Sequence, residues 1–113
     1  MTTQLFNLLA QLPVANAHED FHTLFDSPSV RIERIVSDGH SSPAGFWYDQ
    51  PYDEWVLLLQ GKAVLESPKG QQHVLHSGDS LCIFAHCRHR VISTDSRTVW
   101  LAVHVLGDAQ ADQ

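Results

Sequence analysis

Short runs of alternating apolar and polar residues, separated by turn residues, fill the chain from residue 30 onward. The segment Val30–Ser37 alternates between the two classes and is rich in β-branched residues, as expected for a half-buried strand. Strands this short and evenly spaced are typical of an all-β sandwich or barrel. The later runs predict further strands at residues 46–48, 54–60, 62–67, 73–76, 81–84, 89–94 and 98–106.

The pattern differs in the first 29 residues. Leucines recur at helical spacing in residues 5–12, Thr2 and Thr3 can cap a helix there, and Pro13 would end it. Residues 18–25 predict a second, short helical turn. We therefore expect one domain with three parts. These are an N-terminal helical extension over residues 1–29 that packs on the barrel, a β-barrel over residues 30–106 and a flexible polar tail over residues 107–113.

The predicted strand at residues 54–60 is apolar on both faces. Its alternating side chains are Glu54, Val56 and Leu58 on one face and Trp55, Leu57 and Leu59 on the other. One face must line the barrel interior. The other must be covered by the N-terminal helix, by the sheet of a partner subunit or by both. We expect a homodimer, because an exposed apolar stripe of this kind favours aggregation.

Composition and charge exclude several classes of partner. The net charge of −6 and the scattered Lys and Arg residues argue against nucleic acid. No apolar run approaches the roughly 20 residues of a membrane span, and the first residues lack the basic start of an export signal. Cys82 and Cys87 have no second cysteine pair that would indicate a zinc knuckle. We therefore expect two free thiols in a cytoplasmic protein that binds a small molecule.

Two glycine-bounded segments carry the candidate chemistry. In residues 48–61, Glu54 stands at the start of an apolar strand, seven residues before a turn glycine. In residues 78–91, a strand is followed by His86 and His89. A carboxylate and imidazoles on two neighbouring strands are what a metal or acid/base pocket inside a small barrel requires. The absence of a Gly-x-Ser-x-Gly elbow and of a glycine-rich phosphate loop argues against a serine hydrolase and a nucleotide-binding enzyme.

The first segment resembles the first motif of the cupin superfamily, whose fold is a double-stranded β-helix, a jelly-roll-like barrel. Glu54 and Gly61 have the family's spacing, while Tyr48 and Gln50 take the positions of the family's two histidines. The resemblance extends over about residues 30–106. It implies an all-β cupin barrel whose site lacks the two histidines that the first motif normally supplies.

The second segment is similar to the second cupin motif. Gly78 and His89 match that motif at the family's spacing. Phe84, His86 and Ser93 replace the family's proline, glycine and asparagine.

The resemblance also implies a ligand set. Glu54 and His89 would point into the barrel and bind a divalent transition metal, which would be Fe, Mn, Ni or Zn. Tyr48 and Glu54 are the candidate catalytic groups, with Tyr48 as general acid/base or as the residue that orients the substrate. The residues that could complete the metal's shell are His104, Gln50, His86 and Tyr48.

Three functions remain open at this point. The first is a metal-dependent enzyme that acts on a small polar molecule. The second is a metal-free module that binds or senses a small ligand, which the replacement of both first-motif histidines favours. The third is a structural dimerisation unit, which would need a barrel interior filled by side chains.

Overall fold

The computed structural model describes residues 3–14 and 18–107, and all of the regular structure in these residues is β-strand. The strands form a five-stranded sheet in the order β1-β2-β8-β3-β6 and a three-stranded sheet in the order β5-β4-β7. All of the strand pairs are antiparallel. The strands are β1 (Asp20–Asp26), β2 (Val30–Ser37), β3 (Asp53–Gln60), β4 (Lys62–Glu66), β5 (Gln72–His76), β6 (Ser80–Ile83), β7 (Arg90–Thr94) and β8 (Thr98–Val105).

The all-β prediction is confirmed, and the strands predicted from residue 54 onward begin and end within one or two residues of the observed ones. The predicted strand at residues 46–48 is wrong in its extent, because only Tyr48 pairs there, in a single bridge to His89. No helix in the described residues could cross a membrane. The predicted tail falls almost wholly on residues 108–113, which lie outside the described residues.

The predicted N-terminal helix is wrong. Residues 3–14 form an irregular segment, with a turn at Leu8 and Leu9. The buried Arg34 of β2 donates hydrogen bonds to the carbonyl oxygens of Leu8 (3.4 Å) and Ala10 (3.5 Å). An isolated helix of this length is marginal in water, so contacts with the sheet can replace its internal hydrogen bonds. Thr2, the other predicted cap, lies outside the described residues.

The helical turn predicted at residues 18–25 is also wrong, because β1 occupies Asp20–Asp26. It pairs with β2 from Asp20↔Val36 to Asp26↔Arg31, with an irregularity between Thr23 and Phe25. Without β1, β2 would present a row of unpaired backbone groups at the edge of the sheet. Pairing with that edge decides the conformation of a segment whose own pattern is ambiguous.

The middle of the five-stranded sheet consists of β2, β8 and β3, and their inner face combines apolar and polar side chains. β8 pairs along its whole length with β2 and along nearly all of it with β3. The inner face of these strands carries the buried side chains of Leu58, Trp100 and Ala102, which form part of the hydrophobic core. Towards one end of the same face the side chains become polar, and Glu54 lies directly opposite His104. The sheet therefore has an apolar floor beside a polar end.

The outer face of the same sheet meets the N-terminal segment. Leu5 to Leu9 line an open surface hollow together with Leu59 and Leu101, although Leu5 itself is fully exposed. The guanidinium of Arg34 stands 5.0 Å from the centre of the Phe6 ring, which stacks on His22 at 4.6 Å. The side chains of Trp55 and its outer neighbours on β3 are half-buried. The segment that was expected to cover this face as a helix thus covers part of it as irregular chain.

The turn between β3 and β4 depends on a glycine. Gly61 has φ +94°, and a Cβ there would lie 2.4 Å from Thr98 Oγ1 and 2.8 Å from Thr98 Cα. We expect Gly61→Ala to lower the free energy of unfolding, measured with denaturant, by about 2–4 kcal/mol, because the substitution adds a backbone clash to left-handed strain. Gly70→Ala is the control: its φ is +85°, but nothing lies within 4 Å of the added Cβ. Equal losses in the two variants would contradict the close packing of Gly61 on Thr98.

Candidate functional site

A cavity of about 130 Å³ lies between the two sheets, at the polar end of the inner face. Its apolar wall includes Ile83 and Trp100 from the larger sheet and Leu65 and Val91 from the smaller one. Its polar lining consists of Glu19, Glu33, Tyr48, Gln50, Glu54, His89 and His104.

Five of the six residues predicted for the site therefore border one cavity. These are Tyr48, Gln50, Glu54, His89 and His104. His86 is the exception, because it is exposed outside the cavity lining. Its Nδ1 lies 2.8 Å from the carboxylate of Asp49.

Tyr48 and His89 are held together by their backbones. The amide of Tyr48 donates to the carbonyl of His89 (2.7 Å), and the amide of His89 donates back (3.2 Å). Their rings stack with centroids 5.2 Å apart. His89 Nδ1 donates to the carbonyl of Cys87 at 3.0 Å, and Nε2 has no hydrogen-bond partner among residues 3–14 and 18–107.

His104 is fixed by Glu33, a residue that sequence reasoning missed. Its Nε2 donates to the Glu33 carboxylate at 2.9 Å, and the side chain is buried. Arg31 Nε lies 3.8 Å from the other oxygen of Glu33. The opposite ring nitrogen, His104 Nδ1, is buried and has no hydrogen-bond partner within the described part of the chain. The ring of Tyr52 meets His104 edge-on, with centroids 5.5 Å apart.

Glu54 differs from the other carboxylates of the cavity. It is only 8% exposed, and no group in residues 3–14 and 18–107 forms a hydrogen bond or ion pair with it. Its carboxylate oxygens are not among the fully buried polar atoms without partners, so they stay accessible from the cavity that Glu54 borders. The Glu54 carboxylate is therefore available to a hydrogen-bond donor that enters the cavity.

Tyr48 offers a hydrogen-bond donor to the cavity, whereas Glu54 offers an acceptor. Burial raises the pKa of the Tyr48 phenol above its ordinary value, and the carboxylates of Glu19 and Glu54 raise it further. The phenol consequently keeps its proton at neutral pH. Its hydroxyl has no hydrogen-bond partner among the residues that the structure describes, so it can donate to a molecule in the cavity.

Glu19 is the second functional candidate that sequence reasoning missed. Its carboxylate accepts a hydrogen bond from the Ser37 hydroxyl, which in turn accepts one from Trp100 Nε1 at 3.1 Å.

Strand alternation could have found Glu33, because it shares a face with the cavity-lining Ile35. Glu19 gave no such signal, since it precedes β1 in a region that the sequence pattern assigned to a helix.

The donors do not fit a resident metal of the kind that the motif resemblance implies. Among the described residues, no three or more His, Cys, Asp and Glu side chains are arranged to hold a metal ion. At the positions of the two histidines in the first cupin motif, this chain has Gln50, which offers a neutral amide oxygen, and Tyr48, which offers a phenol. The raised pKa of Tyr48 opposes formation of the phenolate that a cation would need.

Comparison with known proteins settles the family. The cupin domain family matches residues 34–104. This chain is a cupin. The resemblance drawn from the two sequence motifs is thereby confirmed, and the N-terminal segment and β1 lie outside the matched part.

Solved structures support the same conclusion. A protein from Ralstonia eutropha, named as a candidate mannose-6-phosphate isomerase, is 45% identical, with 93% of this cupin and 100% of that chain covered and a TM-score of 0.88. A cupin superfamily protein from Desulfitobacterium hafniense is 22% identical, with 94% of each chain covered and a TM-score of 0.77. A conserved protein of unknown function from Streptococcus pyogenes is 16% identical, with 96% and 92% covered and a TM-score of 0.77. The last two show the fold alone. A search of curated proteins found no match.

The ionisation of Tyr48 tests this electrostatic description. Because its folded-state pKa is raised, the stability that the protonated phenol contributes is complete below about pH 10 and is lost as the pH rises through the folded-state pKa. A titration of tyrosinate absorbance should show a late transition that Tyr48→Phe removes. Glu54→Gln should move this transition to lower pH, because it removes a nearby negative charge. An unchanged transition in Glu54→Gln would contradict the proximity of the two groups.

Proposed function

We propose that this cupin binds a small polar molecule in the cavity and moves a proton on it, with Glu54 as the base and Tyr48 as the acid. The supporting observation is that these two side chains border one cavity and that neither has a hydrogen-bond partner in the described part of the protein. One is a carboxylate, which can accept a proton, and the other is a phenol whose raised pKa keeps it protonated. A pair of this kind suits general acid/base catalysis.

The reaction class that follows is isomerisation next to a carbonyl group. The Glu54 carboxylate accepts a proton from the carbon beside the carbonyl, and the C–H electron pair becomes a carbon–carbon double bond. The carbonyl electrons move to oxygen, which takes the proton of Tyr48. Glu54 then returns its proton to the former carbonyl carbon. The hydroxyl group on the carbon that lost its proton gives its own proton to Tyr48 and becomes the new carbonyl, so the isomer forms without an oxidant or reductant. The apolar wall strengthens these electrostatic interactions, because it keeps water away from them.

The name given to the Ralstonia protein agrees with this class, since interconversion of an aldose and a ketose is itself a proton transfer between neighbouring carbons. Its sugar phosphate agrees less well with the cavity of this cupin. The described lining contains three glutamates and neither lysine nor arginine, so it offers no permanently cationic side chain to a phosphate. We therefore propose for this chain the same class of reaction, an isomerisation, but not a sugar phosphate as its substrate.

A divalent metal centre is the second candidate function. It is favoured by two buried atoms without hydrogen-bond partners, Gln50 Oε1 and His104 Nδ1, both on residues that border the cavity with Glu54 and His89. Binding of Fe, Mn, Ni or Zn would require these side chains to rearrange, because no three such donors converge among the residues described. Elemental analysis of wild type, Glu54→Ala and His89→Ala tests it. Stoichiometric metal that is lost in both variants would establish this candidate.

Two broader properties belong to the same proposal. The half-buried outer face of β3 supports a homodimer, because the N-terminal segment meets only part of that face. Cys82 and Cys87 are both exposed and unpaired, which suits the reducing cytoplasm.

Hydrogen exchange at carbon tests the proposed chemistry. In D₂O, wild-type protein should exchange the hydrogens beside the carbonyl of hydroxyacetone or glycolaldehyde, followed by NMR. Glu54→Gln should slow the catalysed exchange by about 10²-fold or more, and Tyr48→Phe by at least about 10-fold, because each removes one proton-transfer partner. His76→Gln is the control, since His76 is exposed on β5 outside the cavity.

The remaining outcomes are also decisive. Exchange that requires added metal would favour the second candidate over the first. Exchange that is equal in wild type and Glu54→Gln would contradict the assigned base. Absence of exchange together with tight binding of a small molecule would leave a binding or sensory module in place of an enzyme.

A further inference from the structure

We propose that the cavity selects small molecules that carry a positive charge, such as primary amines, over neutral or anionic molecules of the same size. This inference rests on the proposed function, since it names the class of molecule that the same cavity takes. It goes beyond the acid/base assignment because it depends on the charges around the ligand and not on the reacting pair.

The charge balance of the lining is the first support. Glu33 is compensated, because it contacts both Arg31 and His104. Glu19 accepts a hydrogen bond from the neutral Ser37 hydroxyl and forms no ion pair with a described residue. Glu54 has neither kind of partner in the described part of the chain. Two carboxylates at the cavity thus have no ion-pair partner among the residues described, and the other basic groups of the lining are the imidazoles of His89 and His104.

The burial of Glu54 is the second support. More than nine-tenths of this residue is buried, and it borders the cavity. Its carboxylate oxygens are not among the fully buried atoms without partners, so they face the cavity and are open to a donor placed there. An ammonium group placed in the cavity would provide the missing partner, with up to three N–H donors for carboxylate oxygens. A carboxylate or phosphate placed there would instead be repelled.

The aromatic side chains of the lining favour the same class. Phe21, Tyr48 and Trp100 all border the cavity. The negative face of an aromatic ring attracts cations, and this attraction adds to that of nearby carboxylates. Anions gain no such contact.

The cavity volume indicates the size of the group that it can take up. A protein cavity of about 150 Å³ accommodates a benzene ring, so the 130 Å³ here suits a molecule or group of about five or six non-hydrogen atoms. A hexose phosphate would extend well outside.

The nearby arginines do not reverse this preference. Arg88 and Arg90 lie beside Trp47, with guanidinium carbons 5.8 Å and 4.9 Å from a ring centre, and neither borders the cavity. Arg90 also binds the Glu66 carboxylate at 2.8 Å. Arg90 is therefore already compensated.

Three probes of matched size and different charge test the inference: propylammonium, 1-propanol and propionate. Isothermal titration calorimetry at neutral pH should show propylammonium binding at least about 10-fold more tightly than 1-propanol. Propionate and inorganic phosphate should give no detectable heat. Propylammonium alone should raise the melting temperature, because a ligand that binds the native state stabilises it. The wild-type ranking needs no variant, so it holds whether or not substitutions fold.

Two variants locate the effect. Glu54→Gln, which preserves the size of the side chain, should reduce propylammonium affinity by at least about 10-fold, with circular dichroism confirming the fold. Asp95→Asn removes the same charge from an exposed turn outside the cavity and should leave the affinity unchanged. Equal losses in the two variants would overturn the inference, because they would indicate general attraction to a protein of net charge −6.

The outcomes separate this inference from the proposed function. Binding of 1-propanol as tight as that of propylammonium, or tighter binding of propionate or phosphate, would overturn charge selection. The hydrogen-exchange assay would still decide the proton-transfer function in that case. Failure of all probes to bind would overturn the inference. Exchange lost in Glu54→Gln with cation selection retained in that variant would overturn the assignment of Glu54 as the cation's partner.

Discussion

The register of β8 between β2 and β3 is the constraint on which the rest of the structure depends. Side chains alternate strictly along a strand, so a slip of one residue would exchange the inner and outer faces. The observed register turns Glu33, His104 and Glu54 inward from three adjacent strands, next to the core around Trp100. Gly61 contacts Thr98 at the far end of β8 and helps to hold this register.

The same register gives the inward carboxylates different environments. Glu33 is paired with His104 at 2.9 Å and lies near Arg31, so it stabilises the buried imidazole. Glu54, directly opposite His104 on the other neighbouring strand, has no such partner within residues 3–14 and 18–107. A fold selected for stability alone would place an apolar side chain at that position. An unpaired carboxylate in a cavity is the kind of destabilising feature that proteins retain for binding or catalysis.

Alternation was enough to predict β2, β3 and β8 and, through the cupin motifs, the inward direction of Glu54. It failed before residue 30 because the leucines of residues 5–12 fit a helix in isolation, while Arg34 provides tertiary hydrogen bonds that the sequence does not reveal. The same failure hid Glu19. The separation of His86 from the cavity could not be predicted either, since it depends on a positive φ of 62° and on a contact with Asp49, 37 residues away.

The central claim is that Glu54 is a buried carboxylate without a protein partner, and denaturant unfolding of Glu54→Leu tests it most directly. Our account predicts that this variant loses ligand binding and gains roughly 0.5–2 kcal/mol in the free energy of unfolding, because an apolar side chain suits the unliganded cavity better. Glu33→Leu should lose stability, since it leaves His104 and Arg31 without their carboxylate. A loss in Glu54→Leu as large as that in Glu33→Leu would mean that Glu54 is paired in the native protein, and would contradict the account.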